Sequence, residues 1–306
     1  RLNASITLHE CNDLKVVYTP LHGTGNKLVR RILAEIGIKN VMVVKEQELP
    51  DAEFTTIKSP NPEEKAAFKL AIELAEKEKA NLLIATDPDC DRLGVMIKDD
   101  KSDYIVLTGN QIGCLLLNYI LSQKNSNNTL ASNSFVVKTI VSTRLANVIA
   151  KFYNVEILDV LTGFKFIGEK IKELDENGQK QFLFGFEESH GYLSGTFARD
   201  KDAVVASMLI VEMACYYQSK GMNLYQALIE MYEKYGYTLE NVKSFTLSGK
   251  DGIAKIIGCM DYFRKNKPTS FSENKVLFIY DYKSSEKINV MTGEKELISL
   301  PISDVL

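Results

Sequence analysis

Histidine is scarce in this 306-residue chain: His9, His22 and His190 are the only three, too few for a His-rich zinc cluster. Metal chemistry, if present, is expected to run on carboxylates. Cysteine is thin as well. Cys11, Cys90, Cys114, Cys215 and Cys259 are scattered without a CxxC pair, and an odd count in a chain this long does not read as a disulfide framework. A reducing, cytoplasmic setting is the expectation. Positive charge has no excess either, since 37 Lys and Arg face 40 Asp and Glu for a net charge of -3. Nothing is left over to neutralise a phosphate backbone, so nucleic acid is not an expected partner. Long apolar runs are missing. The longest, Ala203 to Val211, contains Ser207 and stops at Glu212, far short of the roughly 20 residues of a spanning helix. No membrane partner is expected. No GxxxxGK[ST] phosphate loop occurs. The chain opens at Arg1 with neither a signal-like apolar region nor a targeting pattern, and the expectation is a piece of a longer protein.

What is present is ordinary globular composition, with 45% apolar and 25% charged residues, and a length that implies about two domains. Short β-branched runs at Leu14 to Tyr18, Val41 to Val44, Leu82 to Ala85, Val136 to Ile140, Val155 to Val160 and Phe182 to Gly185 read as strands. Helical patterns alternate with them, which implies α/β architecture with a mostly parallel, helix-covered sheet. Asn61-Pro62-Glu63-Glu64 has a capping side chain, a first-turn proline and two carboxylates, and predicts a helix over Pro62 to Lys77. The polar stretch Ser122 to Ser134 reads as a linker between two α/β units. After Tyr237 the pattern becomes a strand (Val242 to Leu247), a helix (Gly252 to Arg264) and strands near Val276 to Tyr280 and Lys287 to Met291, an α+β piece short for a complete domain.

Three stretches carry chemistry. In Asp87-Pro88-Asp89-Cys90-Asp91-Arg92, three carboxylates stand at alternate positions directly after an apolar strand. In an extended loop they point the same way. Three such charges raise one another's pKa unless a cation neutralises them, and hard divalent cations prefer oxygen ligands, so a magnesium site is the economical reading. A solvated acidic turn is the bland alternative. An EF-hand needs Gly and Glu where this chain has Arg92 and Lys98, and fails. A phosphatase of the haloacid dehalogenase type, with Asp87 as nucleophile and Asp89 as acid, fits less well because it prefers Thr or Val at the place of Asp91.

The second stretch, Thr19-Pro20-Leu21-His22-Gly23-Thr24-Gly25-Asn26, lies between a strand and a helix, where glycines expose backbone N–H groups to an anion. It lacks the third glycine of a dinucleotide fingerprint, and a tight turn is the rival explanation. The third is Gly185-Phe186-Glu187-Glu188-Ser189-His190-Gly191, in which Glu187 and Ser189 alternate and suit a polyhydroxylated ligand such as a sugar. His190 in isolation reads as structural. Near it, Arg199-Asp200-Lys201-Asp202 precedes a long helix. Its aspartates fit helix-terminal charge, and Arg199 or Lys201 could meet a phosphate.

In order, TPLHGTG, ATDPDCDR, LTGNQIG, VVKTIVST, LTGFKFIGEKI, GFEESHGYL and ARDKDAVVA resemble the α-D-phosphohexomutase superfamily, most closely its bacterial phosphoglucomutase branch, along nearly the whole chain. The resemblance implies two consecutive α/β domains with mixed, mainly parallel sheets, a metal-binding one over 1–125 and a sugar-binding one over 130–236. Residues 237–306 would begin an α+β C-terminal domain. It implies an isomerase in which an enzyme phosphoserine exchanges phosphoryl groups with a hexose phosphate through a bisphosphate, glucose 1,6-bisphosphate in the phosphoglucomutase case. Mg2+ is implied on Asp87, Asp89 and Asp91, with Arg92 beside the phosphoserine and Lys138 as a second catalytic group. Glu187 and Ser189 are implied as readers of the sugar hydroxyls, with Thr162, Gly163, Lys201 and His22 in the substrate cleft. Phosphomannomutase or phosphopentomutase activity is the alternative within the class, and a non-catalytic sugar-phosphate or metal-binding module the alternative outside it. The TASHNP-like phosphoserine segment and the RPSGTEP-like phosphate clamp of the family do not occur, so these 306 residues alone are expected to be inactive.

Overall fold

A computed structural model describes residues 11, 13–175, 177–240 and 247–306. The chain divides into two units, Arg1–Thr238 and Leu239–Leu306.

The first unit holds two sheets. Strands β1 (Val16–Thr19), β2 (Val41–Val43), β3 (Leu82–Thr86), β4 (Leu93–Lys98) and β5 (Tyr104–Val106) form a sheet of order β2-β1-β3-β4-β5. β1 pairs in parallel with β2 and β3, while β4 and β5 add on antiparallel. Strands β6 (Ser134–Thr139), β7 (Glu156–Val160), β8 (Gln181–Glu187) and β9 (Gly191–Leu193) form the second, of order β7-β6-β8-β9. Its first three strands are parallel and β9 is antiparallel. All six predicted strands of this region are present. β4, β5 and β9, which were not anticipated, make the sheets mixed.

Helices α1 (Gly25–Glu35), α2 (Lys69–Glu78), α3 (Gly109–Ser126), α4 (Leu145–Phe152), α5 (Phe164–Leu174), α6 (Ala203–Ser219) and α7 (Leu224–Tyr235) cover the sheets. Period-two alternation decides which residue goes where. Val16 and Tyr18 of β1, Ile84 of β3, and Phe184 and Phe186 of β8 all enter one core shared by both sheets and built around α3, α6 and α7. On the far face of the first sheet Val17, Leu83, Ala85 and Met96 pack under Ala71 and Ala75 of α2 and under Phe68 just before it. On the far face of the second, Phe135, Val137 and Phe182 meet Phe164, Ile167 and Ile171 of α5. The apolar run 203–211 is therefore half of a helix buried between two sheets. No helix among the described residues is long and apolar enough to cross a membrane.

Three local expectations are corrected. The helix predicted from Pro62 begins later: Asn61–Glu64 turn, Lys65–Phe68 make a 3-10 turn, and α2 proper starts at Lys69. Asn61 does accept from the Glu63 N–H at 3.1 Å, but it closes a local turn and not a helix start. The stretch read as a linker from Ser122 is the last turn and a half of α3 as far as Ser126. A strong N-terminal capping box, Thr108 with Gln111, and burial between neighbours outweigh weak C-terminal propensities. Cysteines also pair against expectation: Cys11 and Cys215 form a disulfide with Cα atoms 5.4 Å apart across 204 residues of sequence, a separation no spacing rule signals.

In the second unit, α8 (Gly249–Lys265) accompanies a three-stranded antiparallel sheet, β12 (Phe278–Asp281), β13 (Glu286–Asn289) and β14 (Lys295–Leu297), plus the short hairpin β10 (Ser270–Phe271) and β11 (Asn274–Lys275). The predicted strand Val242–Leu247 lies outside the described residues except for Leu247. Ile279 and Ile288 are buried here, while Ile253, Ile256 and Ile257 of α8 stay exposed.

Candidate active site at the joined edge of two sheets

The acidic loop connects β3 to β4, and it curls where an extended loop was expected. The Cys90 N–H donates back to the Asp87 carbonyl at 3.0 Å, and Cys90 takes a left-handed φ of 61°. Convergence of the carboxylates comes from this turn. One oxygen from each of Asp87, Asp89 and Asp91 can lie within 4.8 Å of the others. Asp87 is buried at the strand end. Its Oδ1 accepts from the backbone N–H groups of Asp91 and Arg92, both at 3.0 Å, and its Oδ2 from Arg92 Nε at 2.8 Å. Burial lifts the Asp87 carboxyl to about 6 against those bonds, with the neighbouring charge of Asp91 adding to the rise. Cys90 faces away, toward Thr86, and burial pushes its thiol up to about 12, which leaves it inert. An all-oxygen, partly desolvated set with one such carboxylate fits a hard dication such as Mg2+.

The turn at residues 19–25 serves as the seat of this loop. A Cβ at Gly23 would stand 2.6 Å from Pro88 Cα, and the Thr24 N–H donates to the Pro88 carbonyl at 2.8 Å. Glycine is required there by backbone against backbone. His22 is buried away from solvent, its Nδ1 bonded to the Leu49 carbonyl and its Nε2 to Thr56 Oγ1.

From the second sheet, Glu187 ends β8 and Ser189 follows in the turn to β9. The Ser189 hydroxyl bonds the Glu187 carboxylate, and burial raises the Glu187 pKa against the opposing charge of Lys201. Glu188 turns the other way: its Oε2 accepts from Thr139 Oγ1 at 2.8 Å and Ser142 Oγ at 3.2 Å. A Cβ at Gly109, first residue of α3, would come within 1.9 Å of the Glu188 carbonyl oxygen. The LTGNQIG motif thus caps α3 and makes room for the turn between β8 and β9.

The two loops are stitched together. Arg92 and Gly191 form an antiparallel bridge. The Leu93 N–H donates to the His190 carbonyl at 3.0 Å, and His190 Nδ1 donates to the Leu93 carbonyl at 3.1 Å. Burial depresses the His190 pKa against the charge of Glu63, so the ring is a neutral structural tie. At the start of α6, the Ala203 N–H reaches the Cys90 carbonyl and the Asp202 N–H the Tyr192 carbonyl. Asp202 also caps α6 through Val204 and Val205. Lys201 then crosses the gap, with Nζ 3.0 Å from Asp91 Oδ2 and 4.0 Å from Glu187 Oε1. Burial works to lower its pKa, but the carboxylates of Asp91 and Asp200 outweigh burial and hold it above the ordinary lysine value. Its ammonium lies 5.6 Å from the ring centre of Phe164, the residue after Gly163.

Lys138 is directed elsewhere. Fully buried at the end of β6, it pairs with Asp159 Oδ1 at 2.8 Å and donates to the Thr139 and Ser142 carbonyls. Thr162 and Gly163 occupy the turn between β7 and α5. Sequence reasoning missed Asp159, although it sits beside Lys138 in the parallel β6–β7 register. The local pattern places Glu63 among helix-start charges, yet its Oε1 accepts from Arg92 Nη1 at 3.1 Å. No local pattern announces that contact.

Two family models match the chain: phosphoglucomutase/phosphomannomutase α/β/α domain II over residues 3–101 and domain III over residues 108–235. The chain belongs to the phosphoglucomutase/phosphomannomutase family. It is 38% identical over 297 residues to a phosphoglucomutase of Staphylococcus saprophyticus, covering 97% of this chain and 53% of that protein. It is 39% identical over 295 residues to one of Staphylococcus aureus, covering 96% and 52%. The chain thus spans about half the length of the curated relatives it matches. Among solved structures, the open form of the phosphoglucomutase pp63/parafusin from Paramecium aligns with a TM-score of 0.58 at 15% identity, over 96% of this chain and 49% of that one. A phosphoglucomutase/phosphomannomutase family protein from Burkholderia thailandensis aligns with a TM-score of 0.57 at 18% identity, over 71% and 42%. These structures share the fold.

Proposed function

We propose that this chain forms the metal- and sugar-binding part of a phosphoglucomutase, an isomerase interconverting glucose 1-phosphate and glucose 6-phosphate through an enzyme phosphoserine and glucose 1,6-bisphosphate. The observation that carries the reading is the joined edge: Lys201 spans Asp91 of the acidic loop and Glu187 of the sugar loop. In this reading Asp87, Asp89 and Asp91 hold Mg2+, which supplies charge neutralisation to the phosphoryl oxygens. Arg92 offers its guanidinium to the same oxygens, since phosphoryl transfer depends mainly on positioning and charge. Glu187 and Ser189 hydrogen-bond sugar hydroxyls beside them. Lys201 orients both loops and is free to release Asp91 to an arriving cation. Thr162 and Gly163 edge the cleft in this reading, Lys138 supports the end of β6 through Asp159, and His22 braces the 19–25 turn.

Asp87 bears on the rival phosphatase reading. Three hydrogen bonds fix its carboxylate in the loop, and one of its oxygens lies within 4.8 Å of oxygens of Asp89 and Asp91, an arrangement that suits a shared metal better than a lone nucleophile. Residues 237–306, with α8 exposing Ile253, Ile256 and Ile257, are proposed as the start of a further α+β domain.

The test is a coupled assay of the full-length gene product. We expect Mg2+-dependent interconversion of the two glucose phosphates by that protein and none by the 306-residue chain, which has no TASHNP-like serine segment. Substantial turnover by the 306 residues alone would refute the phosphoserine assignment.

A further inference from the structure

The segment Asn61–Glu64, singled out in the sequence as a helix start, lies against the acidic loop instead. A Cβ at Gly94, on β4, would stand 2.1 Å from the Pro62 carbonyl oxygen, backbone against backbone. This contact fixes where Glu63 begins. From there the Glu63 carboxylate takes Arg92 Nη1 at 3.1 Å, and Asn61 Oδ1 lies 3.5 Å from the same nitrogen. The opposite side of the guanidinium is held by Asp87, through Nε at 2.8 Å. Arg92 Nε is also 3.8 Å from Asp91 Oδ1. Arg92 is thus suspended between one carboxylate of the acidic trio and one carboxylate from a segment 29 residues away in sequence.

We propose that Glu63 is a positioning residue that holds the Nη1 end of the Arg92 guanidinium while Nε stays on Asp87, keeping the fork from closing onto Asp91, so that the arginine and a divalent cation can occupy the site together. The proposal rests on the mutase reading for the role of Arg92, but its physical core is a competition. An arginine fork matches carboxylates well, this one already holds Asp87, and Asp91 Oδ1 lies 3.8 Å from its Nε. Glu63 offers a competing anion on the side away from them. Without Glu63 the freed end of the fork turns onto Asp91 beside Asp87, where it takes an oxygen that a hard cation needs. Half-exposed pairs of this kind add little stability, so the contact serves orientation.

Two measurements test it. In the full-length enzyme, Glu63→Ala should lower kcat roughly ten- to hundredfold with KM for glucose 1-phosphate within about twofold, and Glu63→Gln, which keeps an acceptor for Nη1, should recover most of the loss. On the 306-residue chain, calorimetric titration with MgCl2 should show binding weakened at least about threefold by Glu63→Ala, and no further weakening when that change is made in an Arg92→Gln background. The second measurement needs no turnover, so it judges the competition even if the mutase reading falls. Unchanged Mg2+ affinity in Glu63→Ala, or an equal effect with and without Arg92, overturns the proposal. Loss of kcat unrescued by glutamine overturns it as well.

Discussion

Asp89 is the most exposed member of the acidic trio and takes no part in holding the loop together, whereas Asp87 accepts three bonds within it. Asp89→Asn should therefore weaken Mg2+ binding by the 306-residue chain at least tenfold, as a rough figure for one lost charged ligand, with the thermal midpoint of the metal-free chain unchanged. Calorimetry with MgCl2 beside a melting curve checks both. Wild-type affinity in the variant would remove Asp89 from the site. His190 gives a pH prediction at the same scale. Its folded pKa lies below the unfolded value, so above about 6.5 both states are neutral and the residue contributes no pH dependence. As pH falls below that, the unfolded chain takes up a proton that the buried ring refuses, and stability declines by up to about 1.4 kcal/mol per pH unit. Urea unfolding at pH 7.5 and 5.5 should show a larger loss for wild type than for His190→Asn, and equal losses would contradict it.

At the scale of elements, close backbone approaches set the positions of the loops. β4 carries Gly94 because the Pro62 carbonyl lies on it, and Gly94→Ala should cost about 1–3 kcal/mol, the range for overpacking a tight contact. Because the displaced segment carries Glu63, the same variant should also weaken Mg2+ binding. Denaturant titration and calorimetry read the two effects separately, and a variant as stable as wild type would show that the approach is not tight. The site elements were unevenly legible. The β3 and β8 strands and the loops after them follow from apolar runs bounded by polar ones, as does α6. β4 and β9 were hidden because one begins directly after a chemical motif and the other at the motif's last residue, and antiparallel return strands of this kind have no crossover helix to announce them. The start of α2 was misjudged because Asn61 and Pro62 satisfy local capping rules while their tertiary contacts favour a turn.

At the scale of the molecule, the shared core of the first unit makes the two sheets one body, with Val16, Ile84, Phe184 and Ile210 in the same cluster. The second unit has its own contacts, including the Arg264–Asp281 and Arg264–Asp304 ion pairs. A chain ending at Thr238 should therefore still fold cooperatively and bind Mg2+ with affinity within about threefold of the 306-residue chain, since separate units behave additively. Far-ultraviolet circular dichroism during heating and calorimetry test this. Loss of folding on removal of Leu239–Leu306 would contradict the division.

Residue order alone determined the alternating strands and helices, the side chains offered by the DPDCDR and GFEESHG loops, and the kinship those motifs carry. These are matters of local periodicity and of chemistry concentrated in a few consecutive positions. Tertiary structure decided that the acidic loop curls, that Lys201 and the start of α6 join it to the loop between β8 and β9, that Glu188 and His190 brace that loop, and that Glu63 reaches Arg92. All but the first, a local turn within residues 87–92, are contacts between residues far apart in the chain. Packing, with the need to satisfy buried charges, selects such contacts, and no short window of sequence contains both partners.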